Sequence, residues 1–282
     1  MRRLFSDIPE GELAGARQAL RLAAPQPAAT VTTPSLSRYQ ALGRERLPLG
    51  YVDNAAQVQA LLAISDDAVV ERYRRLQPTR EDLGYVDNAG LVRFILAHGG
   101  DEALARHRQL ARNPREFGYI DANAMVRAML AAGPAGAIDR YRALGNARLD
   151  FGYIDNASVA RAVLALAPPE AVDRYRALPR RELGYIDGAA VAQAVVAAGP
   201  PDAMDRYRAL GNAGLDFGYV DNAAIVRAIL ATGPEGSVER YRELSRDRGA
   251  FGYVDQNAVT RAWLATGRVL PYLPAVPAAD DE

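Results

Sequence analysis

The sequence contains no cysteine and no lysine, carries no net charge at neutral pH and has a single tryptophan among its 282 residues. Without cysteine there is no disulfide, no thiolate metal site and no cysteine nucleophile. A net charge of zero removes the overall electrostatic attraction expected of a nucleic-acid binder, so only a local basic stripe could hold phosphates. These absences already exclude several classes of function.

The chain also lacks any run of about 18 apolar residues that could span a bilayer. Its first residues include two arginines but reach Asp7 and Pro9 before an apolar run of signal-peptide length can form. We therefore expect a soluble protein with no membrane partner and no classical secretory route, either cytoplasmic or translocated into a host cell. The all-arginine usage fits either the codon bias of a GC-rich bacterial genome or an avoidance of lysine in a delivered protein.

The dominant feature present is a repeat that begins with Gly-Tyr-Val/Ile-Asp, most often followed by Asn-Ala. Its units are 34 residues long, except for one of 32 residues that starts at Gly152. A fixed period in this range is typical of arrays whose units bury their apolar faces only against their neighbours. The units start at Gly50, Gly84, Gly118, Gly152, Gly184, Gly218 and Gly252.

Within each unit the pattern predicts two helices. In the sixth unit an aspartate at the expected N-cap, Asp221, precedes an apolar run that stops at Gly233, and Pro234 then opens a second helix. We call the first helix of a unit A and the second B. The linker after helix B closes with Leu or Phe before the next Gly-Tyr, and we expect that glycine to supply a backbone angle that other residues resist.

Three regions are expected. Residues 1–36 are an N-terminal helix and a Pro/Thr-rich linker, residues 37–267 are the repeat array, and residues 268–282 are a C-terminal capping segment with an acidic tail. Ser37 to Leu42 matches the second half of a repeat, which suggests a degenerate N-terminal capping unit. At the C-terminal end, the seventh unit lacks a helix B. Either Trp263 seals the array with Leu270, Tyr272 and Leu273, or the end stays apolar and docks a partner or a second copy.

A helix pair of this period resembles tetratricopeptide and pentatricopeptide repeats. The stretch from Ala228 to Gly233, followed by Ser237 to Leu244, is similar to the end of the pentatricopeptide helix A and the start of its helix B. The resemblance implies an all-α, right-handed α-solenoid of about seven two-helix repeats whose helix A lines a concave groove. Transcription-activator-like effectors also use 34-residue helix pairs, but their specificity loop is not found at the Gly-Pro turn between A and B.

Aspartates recur at the start of every helix A, but successive units would hold them about 10 Å apart. That spacing is too wide for one acid/base pair or one chelated ion, so we interpret them as structural helix caps, each stabilising its helix by about 1 kcal/mol. The set comprises Asp53, Asp87, Asp121, Asp155, Asp187, Asp221 and Asp255.

Two sets of polar residues are candidate binding surfaces. On helix A, a stripe of polar residues in an otherwise apolar helix would line the groove and hold an acidic peptide or a phosphate backbone. The alternative is that each of these side chains pairs with an Asp or a carbonyl of the adjacent unit. The stripe consists of Gln59, Arg93, Arg127, Arg161, Gln193, Arg227 and Arg261. On helix B, Arg-Tyr-Arg triplets supply a second candidate surface, or an ion-paired exterior, formed by Arg72, Arg74, Arg140, Arg142, Arg174, Arg176, Arg206, Arg208, Arg240 and Arg242.

No catalytic constellation is visible. His98 and His107 lie on different predicted helices, and there is no phosphate loop, Ser/His/Asp set or dinucleotide fingerprint. We therefore expect no enzyme, no metal and no cofactor, but a repeat scaffold that binds a protein or peptide along the groove lined by helix A. The alternative is an effector-like protein that contacts nucleic acid through the helix A arginines.

Overall fold

A computed structural model describes residues 33–50, 52–84, 88–112, 114–118, 120–151, 154–183, 186–218, 220–244, 250–252, 254–267 and 269, which all belong to one compact unit of the chain. Every regular element in these ranges is a helix, so the all-α prediction is confirmed. The predicted N-terminal helix, the C-terminal residues Leu270, Tyr272 and Leu273, and Asp87 lie outside the described residues.

Seven of the helices are the predicted A helices, each 10 to 13 residues long. They are α2 (Val52–Ala63), α5 (Ala89–His98), α7 (Ile120–Ala132), α9 (Ile154–Leu166), α11 (Ile186–Ala198), α13 (Val220–Thr232) and α15 (Val254–Thr266).

The B helices have 7 to 9 residues, except for the first, which has 12. They are α1 (Thr33–Arg44), α3 (Asp67–Arg75), α6 (Ala103–Leu110), α8 (Ala137–Gly145), α10 (Ala171–Ala177), α12 (Ala203–Gly211) and α14 (Ser237–Glu243). Three linkers between units contain further turns of helix, namely α4 (Arg80–Leu83) and the 3-10 helices Pro114–Phe117 and Arg180–Glu182.

Each A helix packs against the A helix of the next unit, and each B helix packs mainly against the A helix that follows it. The last A helix, α15, packs in turn against the first, α2. The seven A helices therefore form a closed circuit of contacts, whereas the predicted solenoid would have two separate ends. We call the α15–α2 interface the seam.

The seam repeats the contacts of the junctions inside the chain. A Cβ placed on Gly252 would come within 2.5 Å of the Cβ of Ala56, just as one on Gly218 would come within 2.8 Å of the Cβ of Ala258. Tyr39 in α1 lies 5.7 Å from Phe251, a spacing equal to that between Phe151 and Tyr175. Helix α1, expected as a degenerate cap, thus supplies the B helix that the seventh unit lacks.

Trp263 does not close a free end, because its helix is covered by α2. It is 6% exposed and belongs to the core, at the helix position that six aliphatic residues hold in the other units. Those residues are Leu61, Ile95, Met129, Val163, Val195 and Ile229.

The helix boundaries correct two details of the sequence analysis. In the six A helices that are described from their first residue, the aspartate is the second helical residue rather than the residue before the helix; these are Asp53, Asp121, Asp155, Asp187, Asp221 and Asp255. In the sixth unit, helix B begins at Ser237, three residues after Pro234. The apolar pattern located the helices but could not fix their first turns, because several residues there are compatible with either a cap or a helix.

Two kinds of glycine have different roles. The glycines at the unit starts Gly50, Gly84, Gly118, Gly218 and Gly252 all have positive φ, as predicted. The glycines after helix A are required mainly by close packing: a Cβ on Gly99 would lie 2.4 Å from the Cβ of Ala132, and one on Gly199 would lie 2.4 Å from Cγ2 of Thr232. The A helices of successive units therefore approach closely at their C-terminal ends.

Candidate functional site

The helix A stripe faces the B helix of the preceding unit, where carbonyl groups at the end of that helix lack helical partners. Arg93 donates from Nε and Nη2 to the carbonyl of Tyr73 at 3.1 and 3.0 Å. Arg227 donates to the carbonyl of Tyr207 at 2.9 Å. The two glutamines of the stripe make the same contact, Gln59 with Tyr39 and Gln193 with Tyr175, both at 2.6 Å.

The other three arginines of the stripe are also used internally. Arg127 and Arg261 each donate from Nε to an asparagine one turn earlier, at 2.8 and 2.9 Å. Arg161 donates to the carbonyl of Glu116 at 3.1 Å. The bond of Arg161 supports the alternative in which the stripe pairs with backbone carbonyls, whereas the bonds of Arg127 and Arg261 lie within one helix.

The guanidinium groups also lie over the tyrosines of the B helices. The Cζ atom of Arg161 is 3.5 Å from the ring centroid of Tyr141, and that of Arg227 is 4.0 Å from the ring centroid of Tyr207. Burial lowers the pKa of Arg93 and of Arg127. Because a cation over an aromatic face is stabilised most when water is excluded, these pairs hold the A and B layers together.

In four of the five Arg-Tyr-Arg triplets, the first arginine makes a second kind of carbonyl contact, at the C-terminal end of the next A helix. Arg72 donates to Ala97 at 2.7 Å, and Arg206 donates to Gly233 at 2.6 Å. Arg38 in α1 repeats this contact with the carbonyl of Ser65 at 2.7 Å. The remaining described contacts of this kind are Arg174 with Gly199 and Arg240 with Ala265.

The second arginine of each triplet is exposed and bonded to carboxylates. Arg208 contacts Glu182 at 2.8 Å and Asp205 at 3.3 Å, and its hydrogen bond lowers the pKa of the Glu182 carboxyl. Arg142 contacts Glu116 at 2.5 Å. The same arrangement joins Arg74 to Glu45 and Glu71, Arg176 to Asp173, and Arg242 to Glu239. These contacts support an ion-paired exterior rather than an unpaired cationic surface.

The central tyrosine of each triplet is buried, and most of the described hydroxyls donate to a carbonyl in the preceding linker. Tyr73 donates to Pro48 at 2.7 Å, and Tyr175 donates to Asp150 at 2.8 Å. The equivalent hydroxyl of Tyr207 is buried with no hydrogen-bond partner. These rings are therefore structural, as their spacing predicted.

His107 replaces this tyrosine in the second unit, and its Nε2 lies 2.8 Å from the carbonyl oxygen of Asp82. Burial, together with the charge of Arg127, lowers the pKa of His107 to about 4. For Asp82, hydrogen bonds from Arg108 and Thr79 outweigh the raising effect of burial and lower the pKa to about 2. The described residues contain no group of three or more His, Cys, Asp or Glu side chains placed to hold a metal ion.

The side of each A helix turned away from the B helices carries a different set of residues. Successive helical residues are about 100° apart, so a residue two positions before the stripe points about 200° away from it. At that position Leu91, Met125, Val191 and Ile225 remain partly exposed, although they pack against the core. We call this side the inward face because it is directed to the inside of the closed circuit.

One helical turn before this position, near the start of helix A, five of the seven units carry an amide side chain. The amide of Asn54 contacts that of Asn88 at 3.5 Å, and Gln57 is bonded to Asn54 at 3.2 Å and to Gln256. These contacts join neighbouring units at one level of the circuit. We call this region the mouth: its apolar part is Leu91, Met125, Val191 and Ile225, and its amide part is Asn54, Asn88, Asn156, Asn222 and Gln256.

A separate cavity of about 330 Å³ lies beside helices α12 and α14. Leu210, Leu230 and Val238 provide its apolar lining, and Arg206 and Arg242 contribute charged groups. Both arginines are already engaged, Arg206 with the Gly233 carbonyl and Arg242 with Glu239. The cavity therefore offers apolar contacts with little available charge.

The arginine stripe, predicted to line the groove, faces the preceding B helix instead. The arginines suggested a groove because they are the conspicuous polar residues in an apolar helix. The angular spacing along helix A could have found the mouth, since Leu91 and Arg93 point in nearly opposite directions. The asparagine that most often follows the aspartate of the repeat lies at the mouth.

No helix among the described residues is long and apolar enough to cross a bilayer. No protein-family model, no curated protein and no solved structure matches this chain.

Proposed function

We propose that this chain is a non-enzymatic scaffold of seven two-helix repeats that binds a protein or peptide at the mouth. The observation that carries this proposal is the group of partly exposed apolar side chains at Leu91, Met125, Val191 and Ile225, together with the asparagine and glutamine side chains one helical turn earlier in five of the units. An apolar centre with a polar surround is the usual anatomy of a recognition site.

The chemistry of the mouth suits a polypeptide. An amide side chain offers both a donor and an acceptor, which matches the peptide group of a bound backbone. An apolar side chain of the same ligand would bury surface against Leu91, Val191 and Ile225, at about 25 cal/mol for each Å² removed from water. The groove lined by helix A thus remains the expected binding surface, but with different residues from the arginine stripe.

Nucleic-acid binding has less support from these contacts. The stripe arginines donate to backbone carbonyls and to asparagine side chains, and the second arginines of the B helices are paired with carboxylates. The mouth, as defined by its apolar and amide residues, adds no cationic side chain that could make charge-assisted contacts with phosphates.

The test begins with random peptides displayed on phage, selected against the purified chain. Enriched peptides are synthesised and titrated by calorimetry against the chain, against the double variant Val191→Ser/Ile225→Ser, and against the control Ala143→Ser/Ala177→Ser on exposed parts of two B helices. We expect affinity to fall at least about tenfold in the mouth variant and to be unchanged in the control. Circular dichroism melts confirm that both variants fold.

A parallel titration uses single-stranded RNA and duplex DNA at several salt concentrations. We expect no binding, whereas phosphate contacts would give an affinity that decreases steeply with salt. Salt-dependent nucleic-acid binding, or enriched peptides that bind the mouth variant as tightly as the unmodified chain, would overturn the proposal.

A further inference from the structure

The seam differs from the other junctions in chain connectivity. Inside the chain, neighbouring A helices are joined by a B helix and a linker, whereas α15 and α2 come from opposite ends of the array. The seam contact between Gln57 and Gln256 joins residues that are 199 positions apart, compared with 34 for the contact between Asn54 and Asn88. The entropic cost of closing a chain increases with the length of the loop that is closed.

The seam also differs in polarity. Gln57 occupies the inward position that is aliphatic in the other units, and its amide is bonded across the seam to Gln256. Its side chain is mostly buried, at 9% exposure. An amide pair contributes less apolar burial than the valine, leucine or isoleucine found elsewhere, so the seam gains less from the hydrophobic effect. The aliphatic residues at the same position are Leu91, Met125, Val159, Val191, Ile225 and Val259.

Helix α1 does not bridge the two sides of the seam by a chain connection. It is held to the first unit by the bond from Gln59 to the Tyr39 carbonyl and by the contacts of Arg38 with Ser65 and Asp67. Across the seam it meets the ring of Phe251. If the seam separates, α1 is therefore expected to stay with α2 and α3 and to leave α15 uncovered.

We propose that the seam is the opening point of the circuit and that its two surfaces also fit a second copy of this chain. The surfaces are complementary because the seam uses the same glycine and aromatic contacts as the internal junctions. The α15 surface of one opened copy can then pack on α2 of another. In a dimer of two opened copies, α15 of each chain packs on α2 of the other, so both seam interfaces form between the chains. This is an exchange of identical contacts between protomers.

The absence of cysteine allows a direct test by disulfide trapping. The seam variant is Gln57→Cys/Gln256→Cys, and the matched internal control is Asn156→Cys/Val191→Cys, which occupies the same two repeat positions at the junction of α9 and α11. Separate samples of each variant are oxidised. One sample is dilute and native, and the other is concentrated and has been briefly exposed to mild denaturant. Mass spectrometry and light scattering distinguish bonds within one chain from bonds between chains.

We expect both variants to form bonds within one chain when dilute and native. After partial opening at high concentration, the seam variant should form covalent dimers at least about tenfold more often than the internal control. Equal dimer yields from the two variants, or a seam variant that remains bonded within one chain at every concentration, would overturn the proposal. Circular dichroism of the reduced variants verifies their fold.

Hydrogen exchange of the unmodified chain provides a second measurement that does not depend on any substitution. Because local opening exposes the amides of the elements that separate, we expect the seam-facing helices α2 and α15 to exchange at least about tenfold faster than α9 and α11. Uniform protection across these four helices would contradict the assignment of the seam as the opening point.

Discussion

The arginine contacts of the repeats fall into two regions that use the same amino acid differently. Between the A and B layers, arginines such as Arg93 and Arg227 donate to backbone carbonyls and lie over tyrosine rings. On the exterior, Arg176 and Arg208 contact carboxylates in water. A buried carbonyl that loses its donor is costly, whereas an exposed ion pair contributes little, so the first region should determine stability.

His107 provides the largest expected effect, because it is a titratable group in the buried region. Its folded pKa, about 4, lies below the usual value of 6.5. The unfolded chain therefore binds more protons between those values, and stability should decrease as pH falls from 6.5 towards 4, by on the order of 3 kcal/mol. In His107→Tyr, which restores the residue of the other units, urea unfolding at several pH values should lose this part of the pH dependence.

If the pH dependence between 6.5 and 4 is the same in His107→Tyr and in the unmodified chain, His107 is not the group responsible. A control substitution on the exterior, Arg176→Gln, should leave that pH dependence as it is.

Removing a stripe arginine should have the next largest effect. In Arg227→Leu the carbonyl of Tyr207 loses its donor and the ring loses its cation, which we expect to cost about 2 kcal/mol of unfolding free energy. Arg227→Gln should cost less than about 1 kcal/mol, because Gln193 makes the equivalent bond in its own unit. Chemical denaturation of both variants checks the difference; equal losses would show that the carbonyl contact is unimportant.

A smaller effect is expected from the tyrosine hydroxyls. Tyr175→Phe removes a buried bond to the Asp150 carbonyl and should cost about 1 kcal/mol. Tyr207→Phe is the matched control, because its hydroxyl is buried without a partner and its removal should be neutral or slightly stabilising. The two melting temperatures should therefore change in different directions or by clearly different amounts, and identical shifts would argue against this distinction.

The smallest effect should come from the exterior. Arg176→Ala removes an exposed pair with Asp173 and is expected to change the unfolding free energy by less than about 0.5 kcal/mol, an effect that disappears at high salt. Thermal denaturation measures this change. A larger loss of unfolding free energy would contradict the expectation that exterior arginines contribute less to stability than the buried ones.

Much of the local structure could be predicted from the sequence. The period and the apolar spacing located the A and B helices, and the glycine at each described unit start has the positive φ expected of it. The buried tyrosines were also predicted, because their spacing places them on the apolar face. The sequence did not locate the first turns of the A helices. Each aspartate was therefore predicted to be the N-cap, immediately before the helix that contains it.

The side chains on the inward face of helix A were not predicted as a site. Arg93 and Arg227 were assigned to the groove, although they point towards the preceding B helix. A polar residue in an apolar helix indicates a special position without showing which neighbour it faces. Leu91 and Ile225 looked like ordinary core residues because their remaining exposure depends on the neighbouring helices.

The sequence by itself determined the repeating two-helix unit, because helical periodicity, glycines and prolines act within a few residues of the chain. Only the tertiary structure decided that α15 meets α2 and that α1 serves as the B helix of the last unit. Closure depends on the angle between successive units, which accumulates over the seven junctions. No single repeat encodes that sum, so an open array and a closed circuit have nearly the same local sequence.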